Sequence, residues 1–212
     1  MIQIIDELVE RYPALECCRE SVRQASEILI DSYTHGGKLL IAGNGGSAAD
    51  AEHIVGEMMK SFRIQKTLPE GYADALYAAD PEMGSVLRSH LQGALPAIAL
   101  AGHISLSTAY MNDCEPLLCF AQQVNGYGRP GDVLLGISTS GNSRNVLYAA
   151  VAARARGMKV IGLTGEKGGR LERYSDVCIK APAAETYKIQ ELHLPIYHCI
   201  CQVVEKHFYS KR

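Results

Sequence analysis

Five short apolar runs, separated by helix-like segments, constrain the fold of this 212-residue chain more than any other feature of its sequence. They occupy residues 38–42, 96–101, 132–138, 158–163 and 176–180. Most of the runs are continuously apolar rather than alternating, which is typical of strands buried on both faces of a parallel sheet. The alternation predicts an α/β fold, a doubly wound, Rossmann-like sheet of five parallel strands flanked by helices. In such folds ligands bind at the carboxyl ends of the strands.

Long helices are predicted at both ends of the chain. Residues 2–35 have apolar side chains at helical spacing, and Pro13 divides them into two pieces. A terminal helix is predicted from about Tyr187 to His207. Because one side of it is strongly apolar, we expect that side to pack against another subunit; its members are Leu192, Ile196, Ile200 and Val203.

Composition indicates a single domain, residues 1–212, with an N-terminal helical region at 1–36. Residues 63–95 break the strand–helix alternation with several prolines and glycines, and we interpret them as an insertion. The formal net charge of −2 gives no general attraction to nucleic acid, and no run approaches the ~18 apolar residues of a membrane span. Neither nucleic acid nor a membrane is therefore predicted as a partner. Seven cysteines without a Cys-x-x-Cys spacing predict free thiols and a cytoplasmic protein.

Two turns rich in glycine or serine follow predicted strands. The first is Gly-Asn-Gly-Gly-Ser at 43–47, directly after the 38–42 run. The second is Ser-Thr-Ser-Gly-Asn-Ser at 138–143, after the 132–138 run. Turns of this kind surround an anion with backbone N–H groups, and hydroxyls add further donors. Two phosphate-sized sites in one chain predict a phosphorylated metabolite as the ligand.

Two other interpretations apply to these turns. Gly43-x-Gly45-x-x-Ala48 matches the dinucleotide fingerprint, but the acidic residue that should hold the ribose about 20 positions later is missing. No nucleotide cofactor is therefore predicted. The hydroxyl residues of the second turn are also ordinary helix caps. Four hydroxyls within six residues exceed the needs of one cap, which favours a phosphate site.

Helices near these turns carry polar groups suited to catalysis or metal binding. His53 and Glu57 are four residues apart in the helix after the first turn and share one face. The terminal helix carries a polar series on an otherwise apolar background, formed by Gln190, Glu191, His193 and His198. Each such residue is, on its own, more often a structural group in a core or an interface. Spacing alone leaves both interpretations open.

Together these residues resemble the SIS (sugar isomerase) family and, within it, the bacterial phosphoheptose isomerases. The resemblance rests on the two turns with their preceding strands, and on His53-x-x-x-Glu57, Asn112-Asp113, Leu163-Thr164-Gly165 and Ile189-Gln190-Glu191-x-His193 with His198. It covers most of the chain outside residues 63–95.

The resemblance implies an aldose–ketose isomerase that interconverts sedoheptulose 7-phosphate and D-glycero-D-manno-heptose 7-phosphate. Such a reaction needs a base that moves a proton between C1 and C2, and an acid–base partner for the neighbouring oxygens. By the family pattern these two residues are Glu57 and His198, here called the proton-transfer pair. The substrate-binding residues that the pattern implies are Asn44, Gly45, Gly46, Ser47, Asp113, Ser138, Thr139, Ser140, Ser143 and Gln190.

The resemblance also implies a zinc ion and a homotetramer. In several members zinc lies among the residues that correspond to His53, Glu57, Gln190 and His198. Imidazole and carboxylate are ordinary zinc ligands, whereas glutamine is unusual. Gln190 and His198 are ~12 Å apart along one regular helix. A shared ion therefore requires a long reach, a helix that begins after Gln190, or ligands from different subunits, and a metal-free acid–base pair stays open.

Other functions stay open as well. The DnaA initiator-associating proteins share this fold and the serine-rich turn but lack the catalytic Glu and the second His, so Glu57 and His198 favour an enzyme. Some phosphoheptose isomerases have an arginine where this chain has Ser61, and an acidic residue where it has Tyr187. With the 63–95 insertion, which could form a lid or a subunit contact, these departures leave another phosphosugar open as the substrate.

Overall fold

The computed structural model describes residues 1–210, and its sheet has five strands whose neighbours are all parallel. The strands are β1 (Leu39–Ala42), β2 (Ala97–Ala99), β3 (Val133–Ile137), β4 (Lys159–Gly165) and β5 (Val177–Ala181). Their spatial order is β2-β1-β3-β4-β5. This confirms the predicted α/β fold with five parallel strands.

Helices flank this sheet. They are α1 (Ile2–Arg11), α2 (Arg19–Thr34), α3 (Gly46–Met59), α4 (Tyr72–Ala79), α5 (Pro81–His90), α6 (Ile104–Asp113), α7 (Cys119–Tyr127), α8 (Arg144–Ala155) and α9 (Thr186–Tyr209). A short 3-10 helix at Pro13–Cys18 separates α1 from α2, which confirms the predicted break at Pro13. Within residues 1–210, no helix combines the length and the apolar character that crossing a membrane requires.

The central strands are buried on both faces, as their continuous apolar sequences predicted. All four residues of β1 and all five of β3 are buried. Leu39 and Ile41 belong to an apolar cluster that includes residues of α2, α3 and α9. Leu40 and Ala42 belong to a second cluster that includes residues of α7 and α8. Successive strand residues point to opposite faces, so each face of the sheet has its own core.

The edge strand β2 is shorter than its apolar run. The chain leaves the sheet at Ala99 and forms a 3-10 helix at Leu100–Gly102, whereas the run predicted a strand to residue 101. Leu100 is fully buried in the second cluster without being part of a strand. An apolar run therefore indicates burial here but does not define where the backbone hydrogen bonding ends.

The apolar side of α9 packs within its own chain. Ile196, Ile200 and Val203 are buried in the first cluster, and Leu192 is partly buried against it. Helices α1, α2 and α3 supply the contacting surface. The expectation that another subunit covers this side of α9 is therefore wrong for these residues.

Residues 63–95 connect α3 to β2 and contain α4 and α5, which pack against each other. Gly84 permits the close contact, because a Cβ at this position would collide with the backbone of Leu76. Large apolar side chains of this segment stay exposed in the single chain, among them Tyr72, Met83 and Val86. The interpretation of 63–95 as an insertion stays a prediction.

Candidate active site

The two predicted turns meet at the carboxyl ends of β1 and β3, which are adjacent strands with Ala42 paired to Gly136. Gly45 has a φ of 56°, a conformation that suits glycine, and it precedes the first turn of α3. Across the two turns, Asn44 Nδ2 donates to Asn145 Oδ1 at 3.0 Å, and Asn145 Nδ2 donates to Asn44 Oδ1 at 2.7 Å. These paired amides join the first turn to the start of α8. Sequence reasoning missed Asn145, which lies two residues beyond the serine-rich turn.

The serine-rich turn is a preorganised set of hydroxyl groups. Ser138 is buried, and its Oγ donates to Ser143 Oγ at 3.0 Å. Ser140 is exposed, and its Oγ accepts from the backbone N–H of Asn142 at 3.2 Å. Gly141, with a φ of 65°, turns the chain between them. Ser143 precedes α8 but makes no side-chain cap hydrogen bond, so capping alone does not account for the hydroxyls of this turn.

The polar residues of α3 and α9 come together at a second place. His53 Nε2 lies 3.3 Å from Glu57 Oε1 and 3.4 Å from His198 Nε2. The Glu57 side chain is only 11% exposed, whereas the His53 side chain is 43% exposed. Lys60 Nζ lies 3.5 Å from the other Glu57 oxygen. The proton-transfer pair predicted from the sequence is therefore bridged by His53, and the Glu57 carboxylate is largely screened from bulk water.

A hydrogen-bonded chain orients His53. Tyr197 OH donates to Asp50 Oδ1 at 3.3 Å and lies 3.0 Å from His53 Nδ1. Because the hydroxyl donates its one hydrogen bond to Asp50, it acts as the acceptor of a hydrogen bond from the Nδ1–H of His53. The other ring nitrogen, Nε2, faces Glu57 and His198. Sequence reasoning missed both Asp50 and Tyr197, although Asp50 lies one helical turn before His53 and so shares its face.

Burial changes the protonation of the groups around this cluster. The pKa of His198 is lowered chiefly by burial and further by the neighbouring His53, while the Glu57 carboxylate opposes the shift. A neutral His198 with a free ring nitrogen is favoured at neutral pH. Burial also raises the pKa of Asp50, and the hydrogen bond from Tyr197 opposes that rise.

Gln190 lies apart from this cluster. A Cβ atom at Gly46 would be 2.6 Å from Gln190 Nε2, so the glutamine packs on the first turn at the amino end of α3. Helix α9 already begins at Thr186, which removes the explanation that the helix starts after Gln190. Gln190 and His198 are therefore separated by two helical turns, ~12 Å along the axis.

Asp113 is also separate from the turns. It is exposed at the end of α6, and its Oδ1 accepts from Asn112 Nδ2 at 2.8 Å. Helix α6 has no buried residue, and neither turn contacts Asp113 through a hydrogen bond within residues 1–210. Its role in binding a sugar stays a prediction.

The model of the SIS domain matches residues 5–74 and 73–165 of this chain, including both turns. The chain belongs to the SIS domain family. This confirms the resemblance that the motifs indicated.

Within the family, this SIS domain is similar to phosphoheptose isomerases. It is 41% identical over 195 residues to the phosphoheptose isomerase of Thiobacillus denitrificans, covering 91% of this chain and 86% of that one. The structure of phosphoheptose isomerase from Neisseria gonorrhoeae superposes with a TM-score of 0.74 at 35% identity, over 95% of this chain and 94% of that chain. The phosphoheptose isomerase from Francisella tularensis gives a TM-score of 0.76 at 31% identity, over 92% and 91%.

The donor types on α3 and α9 of this SIS domain fit zinc. Two imidazoles and a carboxylate are ordinary zinc ligands, and the chain from Asp50 through Tyr197 to His53 is the outer support that a metal-binding histidine needs. The spatial arrangement of these side chains fits zinc less well than their chemistry does. Across the described chain, no three or more His, Cys, Asp or Glu side chains are grouped so that they could hold a metal ion.

Proposed function

We propose that this chain is an aldose–ketose isomerase that interconverts sedoheptulose 7-phosphate and D-glycero-D-manno-heptose 7-phosphate. The observation that carries the proposal is the convergence of Glu57, His53 and His198 in a chain whose relatives are phosphoheptose isomerases. The two turns at the sheet edge supply donors of the kind that a phosphate monoester requires.

The proposed reaction moves two protons. Starting from the ketose, Glu57 takes a proton from C1 and returns it to C2, while His198 takes the proton of the C1 hydroxyl and gives one to the oxygen on C2. The lowered pKa of His198 suits this role, because a neutral imidazole accepts a proton first. The nearly buried position of Glu57 keeps water from competing for the abstracted proton.

We propose that the remaining predicted residues bind the substrate. The hydroxyls of Ser47, Ser138, Thr139, Ser140 and Ser143, with the backbone of Gly45 and Gly46, hold the phosphate and sugar hydroxyls. Asn44, Asp113 and Gln190 line the sugar. The position of Gln190 on the first turn supports a substrate contact for this residue in its own chain.

We propose zinc as the metal, held by His53, Glu57 and His198, with Gln190 joining through movement of α9 or from another subunit. Zinc bound there supplies a Lewis acid for the substrate oxygens. A homotetramer in the cytoplasm is the proposed state of the enzyme. Exposed apolar side chains on α5 and α6, among them Met83, Val86 and Ile104, support an oligomer, and seven free cysteines support a reducing compartment.

The test is conversion of sedoheptulose 7-phosphate by the purified protein, followed by NMR, in samples that are untreated, treated with a chelator, or resupplied with zinc. Turnover that a chelator removes and zinc restores supports the isomerase and the metal together. Turnover that resists the chelator supports the metal-free pair. A folded protein that binds sugar phosphates without turnover contradicts the proposed reaction and favours a non-catalytic SIS protein or another phosphosugar.

Glu57→Gln tests the base directly. We expect loss of turnover with folding and phosphate binding intact, because the amide keeps the size of the side chain but cannot take a proton. Glu52→Gln is the matched control, since Glu52 is an exposed carboxylate on the same helix. Unchanged turnover in Glu57→Gln removes Glu57 from the mechanism.

A further inference from the structure

Lys66 is a completely buried lysine at the end of helix α3. Its side chain is 0% exposed. The ammonium Nζ donates to the backbone carbonyls of Glu57 at 2.7 Å, Met58 at 2.9 Å and Lys60 at 2.6 Å. Glu57 and Met58 belong to the last turn of α3 and Lys60 is its C-cap residue, so none of these carbonyls has a partner inside the helix. Lys66 therefore caps the C-terminal end of α3, and each of its three N–H groups donates to one carbonyl.

Glu205 of α9 is the buried partner of this lysine. Its side chain is 1% exposed, and its Oε1 lies 3.7 Å from Lys66 Nζ. The carboxylate also accepts three successive backbone N–H groups, from Phe62 at 2.7 Å, Arg63 at 2.8 Å and Ile64 at 3.1 Å. Glu205 thus holds the chain that leaves α3, while Lys66 holds the end of α3 itself.

The pair joins the two helices that carry the proton-transfer pair. Glu57 lies in the last turn of α3, and its own carbonyl is one of the acceptors of Lys66. His198 lies two turns before Glu205 on α9, at a spacing of seven residues that keeps both on one face. Helices α3 and α9 are therefore held together at two successive positions. One is the contact between His53 and His198, and the other is the contact between Lys66 and Glu205.

Besides satisfying buried backbone groups, this arrangement fixes the position of the end of α3 relative to α9. A buried ion pair gains little over apolar side chains of the same volume, because both charges lose their water. We propose that Lys66 and Glu205 are positioning residues that hold Glu57 at a fixed distance from His198 during proton transfer. This inference rests on the proposed isomerase function.

The experiment compares Lys66→Met with Lys66→Arg and with a matched pair elsewhere. Lys38 and Asp132 form that control: Asp132 is buried, accepts the N–H groups of Lys38 and Arg129, and lies 2.5 Å from Lys38 Nζ, but it sits at the amino end of the sheet. Each variant is assayed for kcat and KM with sedoheptulose 7-phosphate, for unfolding by urea, and for amide hydrogen exchange in residues 57–64.

Because a misplacement of ~1 Å reduces a rate by ~100-fold, we expect Lys66→Met to lower kcat by about 10- to 100-fold while KM changes little. Lys66→Arg should restore most of kcat, and exchange at 62–64 should accelerate only in Lys66→Met. Lys38→Met should lose stability without losing kcat. If Lys66→Met does not fold, Glu205→Gln, which keeps the side-chain size, is measured in its place.

Two results overturn the inference. One is an unchanged kcat in a folded Lys66→Met or Glu205→Gln protein. The other is a fall in kcat that Lys38→Met reproduces at the same loss of stability, since the effect would then be structural. An unsubstituted protein without turnover overturns the proposed function instead, so the two failures are distinguishable.

Discussion

His193 makes a specific contribution to the acid sensitivity of this protein. It lies on α9, is completely buried, and its Nε2 is 3.2 Å from the carbonyl oxygen of Thr164, to which it donates. Its Nδ1 is buried and has no hydrogen-bond partner among residues 1–210. Protonation would place a charge and an unpaired N–H in the core, and burial accordingly lowers the pKa of His193 to about 4.

The direction of the effect follows from proton binding. An unfolded chain takes up a proton on this histidine near pH 6.5, whereas the folded chain does not until about pH 4. The unfolded state therefore binds more protons between these values, and stability falls as the pH is lowered. At 1.36 kcal/mol per pKa unit, the loss between pH 7 and pH 5 is about 2 kcal/mol.

The assay is urea unfolding at fixed protein concentration, at pH 7 and pH 5, of the unsubstituted protein and of His193→Gln. Glutamine keeps an N–H close to the position of Nε2, so the bond to Thr164 is retained, but it cannot titrate. We expect the free energy of unfolding to fall less in His193→Gln, by about 2 kcal/mol over this range. Equal pH dependence in the two proteins refutes the reasoning, and comparing them cancels the contribution of every other titrating group.

The remaining predictions concern the site. Ser140→Ala should raise KM about tenfold with kcat nearly unchanged, because the phosphate loses one hydrogen bond; a defect confined to kcat, with KM unaltered, contradicts a phosphate role. Tyr197→Phe should weaken zinc binding by about 10- to 100-fold, because His53 loses the hydroxyl that orients it. Competition with a chromogenic chelator measures the zinc affinity. An unaltered affinity would mean that Tyr197 does not support the metal site. Gly46→Ala should impair substrate binding, because its Cβ would meet Gln190 at 2.6 Å; calorimetry with a sugar phosphate shows whether affinity is retained.

The sheet was predictable because strands that are buried on both faces have continuously apolar sequences. Strands β1 and β3 have no polar residue, and glycine or serine turns end both of them, so their type and position were clear. The apolar side of α9 gave an equally strong signal whose meaning was ambiguous. Periodicity shows that a side is buried, but not whether the covering surface belongs to the same chain or to another.

The site was predictable where its residues share one helix or one turn. The spacing of His53 and Glu57 placed them on one face, and that pair is together in the structure. Contacts between distant segments had no such signal. Tyr197 meets Asp50 across 147 positions, and Glu205 meets the N–H of Phe62 across 143. Pairs this far apart depend on how helices pack, which spacing within either segment does not determine.

The first turn joins the phosphate-binding part of the proposed site to its proton-transfer part. Asn44 pairs with Asn145 at the start of α8, directly after the serine-rich turn. Gln190 of α9 packs on Gly46, where α3 begins, and Glu205 fastens the other end of the same two helices. A phosphate held at the turns is thus placed relative to the proton-transfer pair through helices rather than loops. Moving a proton between adjacent carbons requires this constancy of distance, because the base must reach both carbons from one position.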